Sequence, residues 1–315
     1  MNALTPPLPL RDGSITVAEL ADLYMRHYAG RDPAIGQRLE WWKPRVGNLA
    51  FTSVTDDHIF AALESLATTP ARYYAGKDAD GNSIFKSKGR PMAPATVNRH
   101  HQALASVFTW AIRKRIAPKG WTSPCRSVEK RSEAGNAKTR FLSDAERERL
   151  LQACKASKWP KLYLLVLMAL STGARKGELL GLRWQDIDFG AKLAEVARSK
   201  NGDAKALPLV PAAVEELERF RAKPEALVFA STKTPTQGFN FTVVWQQALK
   251  DAHIRGFRFH DLRHSCASFL AKSGATLLEI ADLLGHRQIS MTKRYSHLAA
   301  SHRSALVDRV MGDLR

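Results

Sequence analysis

At 315 residues, 44% hydrophobic and 25% charged, the chain has an ordinary globular composition and exceeds the usual size of one domain, so two domains are expected. Its longest apolar run, residues 162–170, is too short for a membrane span, and Cys125, Cys154 and Cys266 form no CxxC pair, which argues against a disulfide framework or a cysteine zinc site. Lys and Arg number 48 against 30 acidic residues, a formal +18 shared as +8 through Lys138 and +10 beyond it. Charge of one sign on both halves suits a polyanion, whose neutralised phosphates release counterions, although solubility alone also accounts for it.

Residues 1–13, with Pro6, Pro7 and Pro9 and no basic start, read as a loose arm and not as a secretory leader. The cysteine usage fits a reducing cytoplasm, the expected location. From Thr16 the apolar spacing turns helical (Val17, Leu20, Ala21, Tyr24), and helices are predicted near residues 55–67 and 93–115. The second carries Val97, Leu104, Val107, Phe108 and Ala111 on one face and ends in Arg113, Lys114 and Arg115. Between them, residues 73–91 are rich in Gly, Asp and Lys and read as a surface loop. No strand alternation precedes Lys138, so residues 14–117 are expected to form an all-helical domain. Residues 118–138, with Arg126, Lys130, Arg131 and Lys138 and little apolar periodicity, read as a basic linker. Trp41 and Trp42 read as core or interface.

The second domain, residues 139–315, opens at Ser143-Asp144-Ala145-Glu146, a capping box. An apolar helix over 161–170, a break at Ser171-Thr172-Gly173 and a helix over 176–183 follow. After Trp184 the period falls towards two. Residues 192–198 and 205–210 read as strands around Asn201-Gly202, a tight-hairpin pair. Pro211 opens a helix to about residue 222, residues 226–230 form a candidate third strand, and the remainder reads helical. The fold class is a mainly α N-terminal domain followed by an α+β domain, mostly helical around a small antiparallel sheet.

Exchange of a phosphodiester without a metal needs fixed cations on the non-bridging oxygens, a nucleophile, a base for its proton and an acid for the leaving oxygen. Three segments offer such a set. Thr172-Gly173-Ala174-Arg175-Lys176-Gly177-Glu178-Leu179 places Arg175 at a helix start; His260-Asp261-Leu262-Arg263 puts His260 and Arg263 on one helix face; and Leu284-Gly285-His286 precedes Tyr295 in Thr292-Lys293-Arg294-Tyr295-Ser296-His297. Each residue also has a plainer reading. Arg175 fits a surface arginine, although the positive end of a helix disfavours it. His260 and His264, four apart, fit metal ligands, but the HExxH glutamate is missing. His286 fits a helix cap, Tyr295 a packing residue, and Lys200 a solvated turn lysine with Lys205 close by.

Together these segments resemble the signature boxes of the tyrosine recombinase (phage integrase) family: G-x-R-x-x-E-L, H-x-x-R, L-G-H and T-x-x-Y-x-H, in the family's order. Lys200-Asn201-Gly202 ahead of Leu207-Pro208-Leu209 is similar to the family's hairpin lysine. The likeness covers residues 140–298 in detail; residues 14–117 resemble the family's helical, SAM-like core-DNA-binding module. The resemblance implies that Arg175 and Arg263 clamp the scissile phosphate and that Tyr295 attacks it, giving a 3′-phosphotyrosyl link. It makes His260 the base, Lys200 the acid and His286 a hydrogen-bond partner of a non-bridging oxygen, with Glu178 orienting neighbours. It implies no metal, cofactor or ATP. The partner is double-stranded DNA bearing a recombination site, with Arg113, Lys114, Arg115, Lys130, Arg131 and Lys138 as candidate DNA contacts and a nucleoid-associated location. A homotetramer on synapsed sites, a monomer or weak dimer when free, and accessory DNA-bending proteins complete the expectation, with no membrane. The family often passes its last helix, here carrying Leu306, Val307, Val310 and Met311, to a neighbouring subunit; packing in cis is the alternative. The short arm cannot form the arm-site domain of large phage integrases, which leaves inversion or resolution as open as integration. Two other classes compete: a DNA-binding regulator that keeps the fold without catalysis, and a relaxing topoisomerase.

Overall fold

A computed structural model describes residues 8, 10–78, 80–133, 140–196, 204–299, 307, 310 and 311; Lys138, Lys200, the Asn201-Gly202 turn and Leu306 lie outside the described residues. The chain divides into two compact units, residues 1–137 and 138–315.

The first unit is built on α1 (Val17–Arg26), α2 (Ile35–Val46), α3 (Asp56–Thr68) and, after a hairpin, α4 (Pro94–Arg113). Thr16 starts α1: its hydroxyl accepts from the Glu19 N–H at 3.2 Å while the Glu19 carboxylate accepts from the Thr16 N–H at 2.9 Å. Two amides that the helix leaves free are thereby satisfied. The four helices close over Leu20, Leu39, Trp42, Phe51, Ile59, Leu104 and Phe108, all buried. Trp42 reaches the core without stranding its indole, because Nε1 donates to the His100 carbonyl at 2.9 Å. Trp41 stays half-buried, edge-on to Trp42, with the Arg45 guanidinium 3.7 Å above its ring.

This unit departs from the sequence expectation in two places. Residues 73–91 are not a loop, and the unit is not all-helical: β1 (Pro70–Lys77) and β2 (Ser83–Pro91) pair antiparallel. All of β2 and most of β1 are exposed. A ribbon solvated on both faces needs no apolar alternation, and its register also slips between Pro70 and Arg72 and between Tyr74 and Gly76, so there was no period of two to read. Residues 118–133, in turn, do not run free as a linker. Trp121 stands edge-on to Phe51 and Phe108 at 5.0 and 5.5 Å, and Cys125 is buried. Asn98 grips the Arg131 backbone both ways, Nδ2 donating to its carbonyl and Oδ1 accepting from its N–H, each at 2.9 Å. Isolated anchors of this kind leave no periodic trace in a sequence.

The second unit begins with α5 (Asp144–Lys155), α6 (Leu162–Thr172) and α7 (Lys176–Gly181). The predicted Ser143 capping box is present. Leu162, Leu164, Leu165, Val166 and Met168 of α6 are each 0% exposed. A helix apolar on every side can only be a central one. The sheet follows as β3 (Ile187–Asp188), β4 (Leu193–Val196) and β5 (Lys205–Pro208), antiparallel in that order, with Ala194 opposite Leu207 and Val196 opposite Lys205. Its third strand is therefore β3 and not residues 226–230. There Val228 and Phe229 are both fully buried, against the alternation of a surface strand, and the backbone makes only isolated bridges, Arg183 with Leu227 and Ala230 with Gly238. Next come α8 (Pro211–Arg219), α9 (Thr242–Asp251), α10 (Asp261–Lys272) and α11 (Leu277–Leu284). α10 packs on α6, and a 3₁₀ segment, Lys293–Ala299, returns across α10 and α11. No helix among the described residues is long and apolar enough to cross a membrane.

Candidate active site

α6 ends where Gly173 takes a left-handed conformation, φ 61°. A side chain there would be doubly unfavourable, since an added Cβ would also lie 2.3 Å from Leu284 Cδ2. The turn delivers two groups. Its carbonyl accepts a 2.7 Å hydrogen bond from Arg263 Nη1 of α10, a side chain that is 4% exposed. Two residues on, Arg175 becomes the N-cap of α7 and is held at both ends by Glu178: its N–H donates to Oε2 at 2.9 Å and its Nη1 to Oε1 at 2.6 Å. Glu178 is buried while the Arg175 side chain stays partly accessible. The turn thus binds the Arg263 guanidinium directly and leads within two residues to Arg175, whose charge acts on it, so that segments about ninety residues apart meet here.

Tyr295 packs against α10, 1% exposed, among Ala267, Ala271, Ile280 and Leu284, and near enough to Arg263 for the two to interact electrostatically. Its hydroxyl shares a 2.6 Å hydrogen bond with His264 Nδ1. The His260 ring, at the α10 N-terminus, lies T-shaped against His264 at 5.3 Å, so that His264 is the imidazole in contact with the phenol. His286 follows Gly285, the left-handed cap of α11, and its Nδ1 pairs with Thr292 Oγ1 at 2.8 Å. A cavity of about 720 Å³ opens beside it, lined by Arg175, Lys205, Gly285 and His286 among others.

The electrostatics are those of cations short of an anion. Burial, reinforced by Arg175, brings Arg263 down to about 10, still charged at neutral pH. Burial pushes Lys205 down to about 8. His286 falls to about 4 through burial and then the Arg263 and Arg175 charges, and His264 to about 4 through burial and then His260. His260 is lowered by burial and by Arg263. Burial also raises the Tyr295 phenol, against the pull of Arg294 and Arg263. A bound phosphate would offset part of this positive field.

A pH dependence follows from the two lowest histidines. Below the ordinary value of 6.5 the unfolded chain takes up protons that folded His264 and His286 refuse until about pH 4. Their contribution to stability is complete above pH 6.5 and is lost as pH falls through that window. Thermal melts of the free protein should show Tm declining between pH 6.5 and 4, with a smaller decline in His264→Gln combined with His286→Gln. An equal decline in the variant would contradict the assignment.

Of the residues expected from sequence, Arg175, Glu178, His260, Arg263, His286 and Tyr295 all fall in this unit around α10, whereas Lys200 and Lys138 lie outside the described residues. Arg113, Lys114 and Arg115 are exposed at the C-terminal end of α4, where cations complement the helix dipole. Lys130 Nζ donates to Gln102 Oε1 at 3.2 Å, and Arg131 pairs with Glu64. Sequence reasoning missed two groups. His264 entered only as half of a metal pair, although its place four residues after His260 on one helix face was the available signal; among the described residues no cluster of His, Cys, Asp and Glu is arranged to hold a metal. Lys205 entered only as a neighbour of Lys200.

The phage integrase family model matches residues 140–302, just over half of the chain and all of the segments that carry this site. The integrase of Salmonella phage P22 is 28% identical over 289 residues, 84% of this chain and 71% of that protein. The shufflon-specific DNA recombinase of Escherichia coli is 32% identical over 217 residues, 67% of this chain but only 53% of the recombinase, so about half of that relative's length is spanned. Among solved structures, the Tn1549 transposon integrase in complex with transposon right end DNA matches with a TM-score of 0.68 and 18% identity over 92% of this chain and 99% of that one, a likeness of fold. Motif order, fold and sequence match fall on the same residues, and the chain belongs to the phage integrase family, the tyrosine recombinases.

Proposed function

We propose that the protein is a site-specific DNA recombinase that cleaves and rejoins duplex DNA through a 3′-phosphotyrosyl intermediate, without metal or ATP. The observation that carries this reading is the gathering of Arg175 and Arg263 beside one glycine turn, with Tyr295 packed on the same helix within reach of the Arg263 charge and its hydroxyl already bonded to a histidine that stays neutral at pH 7. Arg175 and Arg263 hold the non-bridging oxygens and His286 adds a hydrogen bond. The Tyr295 oxygen attacks phosphorus, the bond from phosphorus to the 5′-oxygen breaks, and Lys200 protonates the departing oxygen. The phenolic proton passes to a histidine: His264 is the group in contact, and His260 stands next to it. Because the phosphotyrosine conserves the ester, attack by a 5′-hydroxyl of a partner strand reverses the step.

A duplex selected by binding from a random-sequence pool, and nicked beside the cleaved position so that the freed fragment diffuses away, tests the reading. Accumulation of a covalent adduct whose phosphopeptide contains Tyr295 is expected. Sequence-specific binding with no adduct on any selected duplex would favour a regulator, and relaxation of plasmids lacking the site a topoisomerase.

The working assembly in this proposal is a homotetramer on two synapsed sites, formed from monomers or weak dimers and assisted by DNA-bending proteins, in the nucleoid. Arg113, Lys114 and Arg115 with Lys130, Arg131 and Lys138 contact the DNA backbone. Phosphate contacts then dominate affinity, and six or more of them would lower it by roughly 10³-fold or more between 50 and 200 mM salt. A shallow dependence in a binding titration would rule out that mode.

A further inference from the structure

We propose that Lys205 is a phosphate-binding residue of this site, its ammonium group taking a non-bridging oxygen of the scissile phosphodiester beside Arg175 and His286, a role separate from the proton delivery assigned to Lys200. The proposal rests on the recombinase reading above. Lys205 opens β5, opposite Val196. Its aliphatic stem runs past Gly285, where an added Cβ would lie 3.5 Å from Lys205 Cδ and 3.9 Å from Cε. The stem thus spans from the sheet to the turn that carries His286. At its end Nζ is buried and has no hydrogen-bond partner among the described residues, while the side chain lines the same cavity as Arg175 and His286.

An ammonium carries three donors, and leaving them dry is among the costlier arrangements a protein adopts. Lys161, a second half-buried lysine, shows the structural alternative: its Nζ donates to the Val228 carbonyl at 2.7 Å, with the rings of Trp184 and Phe220 at 5.6 and 5.5 Å. Among the described residues Lys205 Nζ has nothing comparable. The acidic group that acts on it, Glu178, is already committed to Arg175, and Arg263 and Arg175 repel it. A buried ammonium with no hydrogen-bonded partner among the described residues, in a cavity shared with a second cation and an imidazole, is shaped for an anion that arrives from outside. A phosphodiester supplies one charge, and a second develops as the tyrosine attacks.

The test uses the full-length chain on the selected nicked duplex in three forms: normal, with a methylphosphonate at the cleaved position, and with sulfur replacing the 5′-bridging oxygen. Lys205→Gln should slow adduct formation about 100-fold on normal DNA, the loss typical of removing one transition-state cation or donor, and Lys205→Arg should recover part of it. The defect should shrink on methylphosphonate, which has less charge to neutralise, and persist on the sulfur substrate, whose leaving group needs no acid. Lys205→Met should melt no lower than the wild type, because it removes a dry charge. An undiminished rate in Lys205→Gln, or rescue by sulfur, which would make Lys205 the proton donor, overturns the assignment. So does a lower Tm in Lys205→Met, the mark of a structural lysine. A wild-type chain that forms no adduct sinks the recombinase reading and this proposal together, whereas a wild-type adduct with full Lys205→Gln activity sinks this proposal alone.

Discussion

Tyr295→Phe should bind the selected duplex as tightly as the wild-type chain and form no covalent adduct, a loss of roughly 10⁴-fold or more, as when other enzymes lose a covalent nucleophile. The substitution removes a single oxygen from a ring packed among Ala267, Ala271, Ile280 and Leu284, so the apolar contacts persist. It also strips His264 Nδ1 of its 2.6 Å partner, and a polar atom left unpaired in a partly buried place costs on the order of 1–3 kcal/mol. A modest fall in Tm is therefore expected together with the complete loss of chemistry. Gel shift, denaturing gel and calorimetry on one preparation separate the three readouts. An adduct that survives the substitution means that another side chain attacks phosphorus and that Tyr295 is not the nucleophile.

The second large effect belongs to Arg263. Arg263→Met retains much of the buried aliphatic volume and removes the cation. Adduct formation should fall by about 10²–10³-fold, the range for losing one preorganised donor to a developing charge. Arg263→Lys should recover little, because a point charge does not reproduce a planar two-pronged contact. A spectroscopic consequence separates an electrostatic role from a merely structural one. Arg263 is among the charges that depress His286 and Lys205. In Arg263→Met, His286 should therefore titrate above its wild-type value of about 4, readable from imidazole chemical shifts against pH. Loss of activity with an unmoved His286 would show that Arg263 acts by holding the Gly173 turn and not through its field.

Both effects bear on a tension within the site. Among the described residues the free chain keeps several cations close together around one carboxylate, Glu178, and keeps its phenol inside a small apolar cluster. In the proposed mechanism, attack on phosphorus requires that hydroxyl to give its proton to a histidine while its oxygen meets the phosphate. The segment that carries it, Lys293–Ala299, is a 3₁₀ run, whose hydrogen-bond geometry is poorer than that of an α-helix and whose rearrangement is correspondingly less costly.

Much of this protein is legible in its sequence. The capping box at Ser143, the all-apolar stretch of α6, and the helix ends at Gly173 and Gly285 are local, because each depends on residues within one or two turns of chain. The motif segments are legible for the same reason: Arg175 with Glu178, and His260 with Arg263, are neighbours at helical spacing. Other features are decided by tertiary packing alone. No local rule brings Tyr295 to His264 thirty-one residues away in preference to His260, or sets Lys205 beside Gly285, or seats Trp121 against Phe51. The β1–β2 hairpin escaped for the opposite reason, since a ribbon exposed on both faces imposes no pattern on its residues. Periodicity records which face an element buries; which side chains meet depends on how the helices cross, and that is settled only when the core closes.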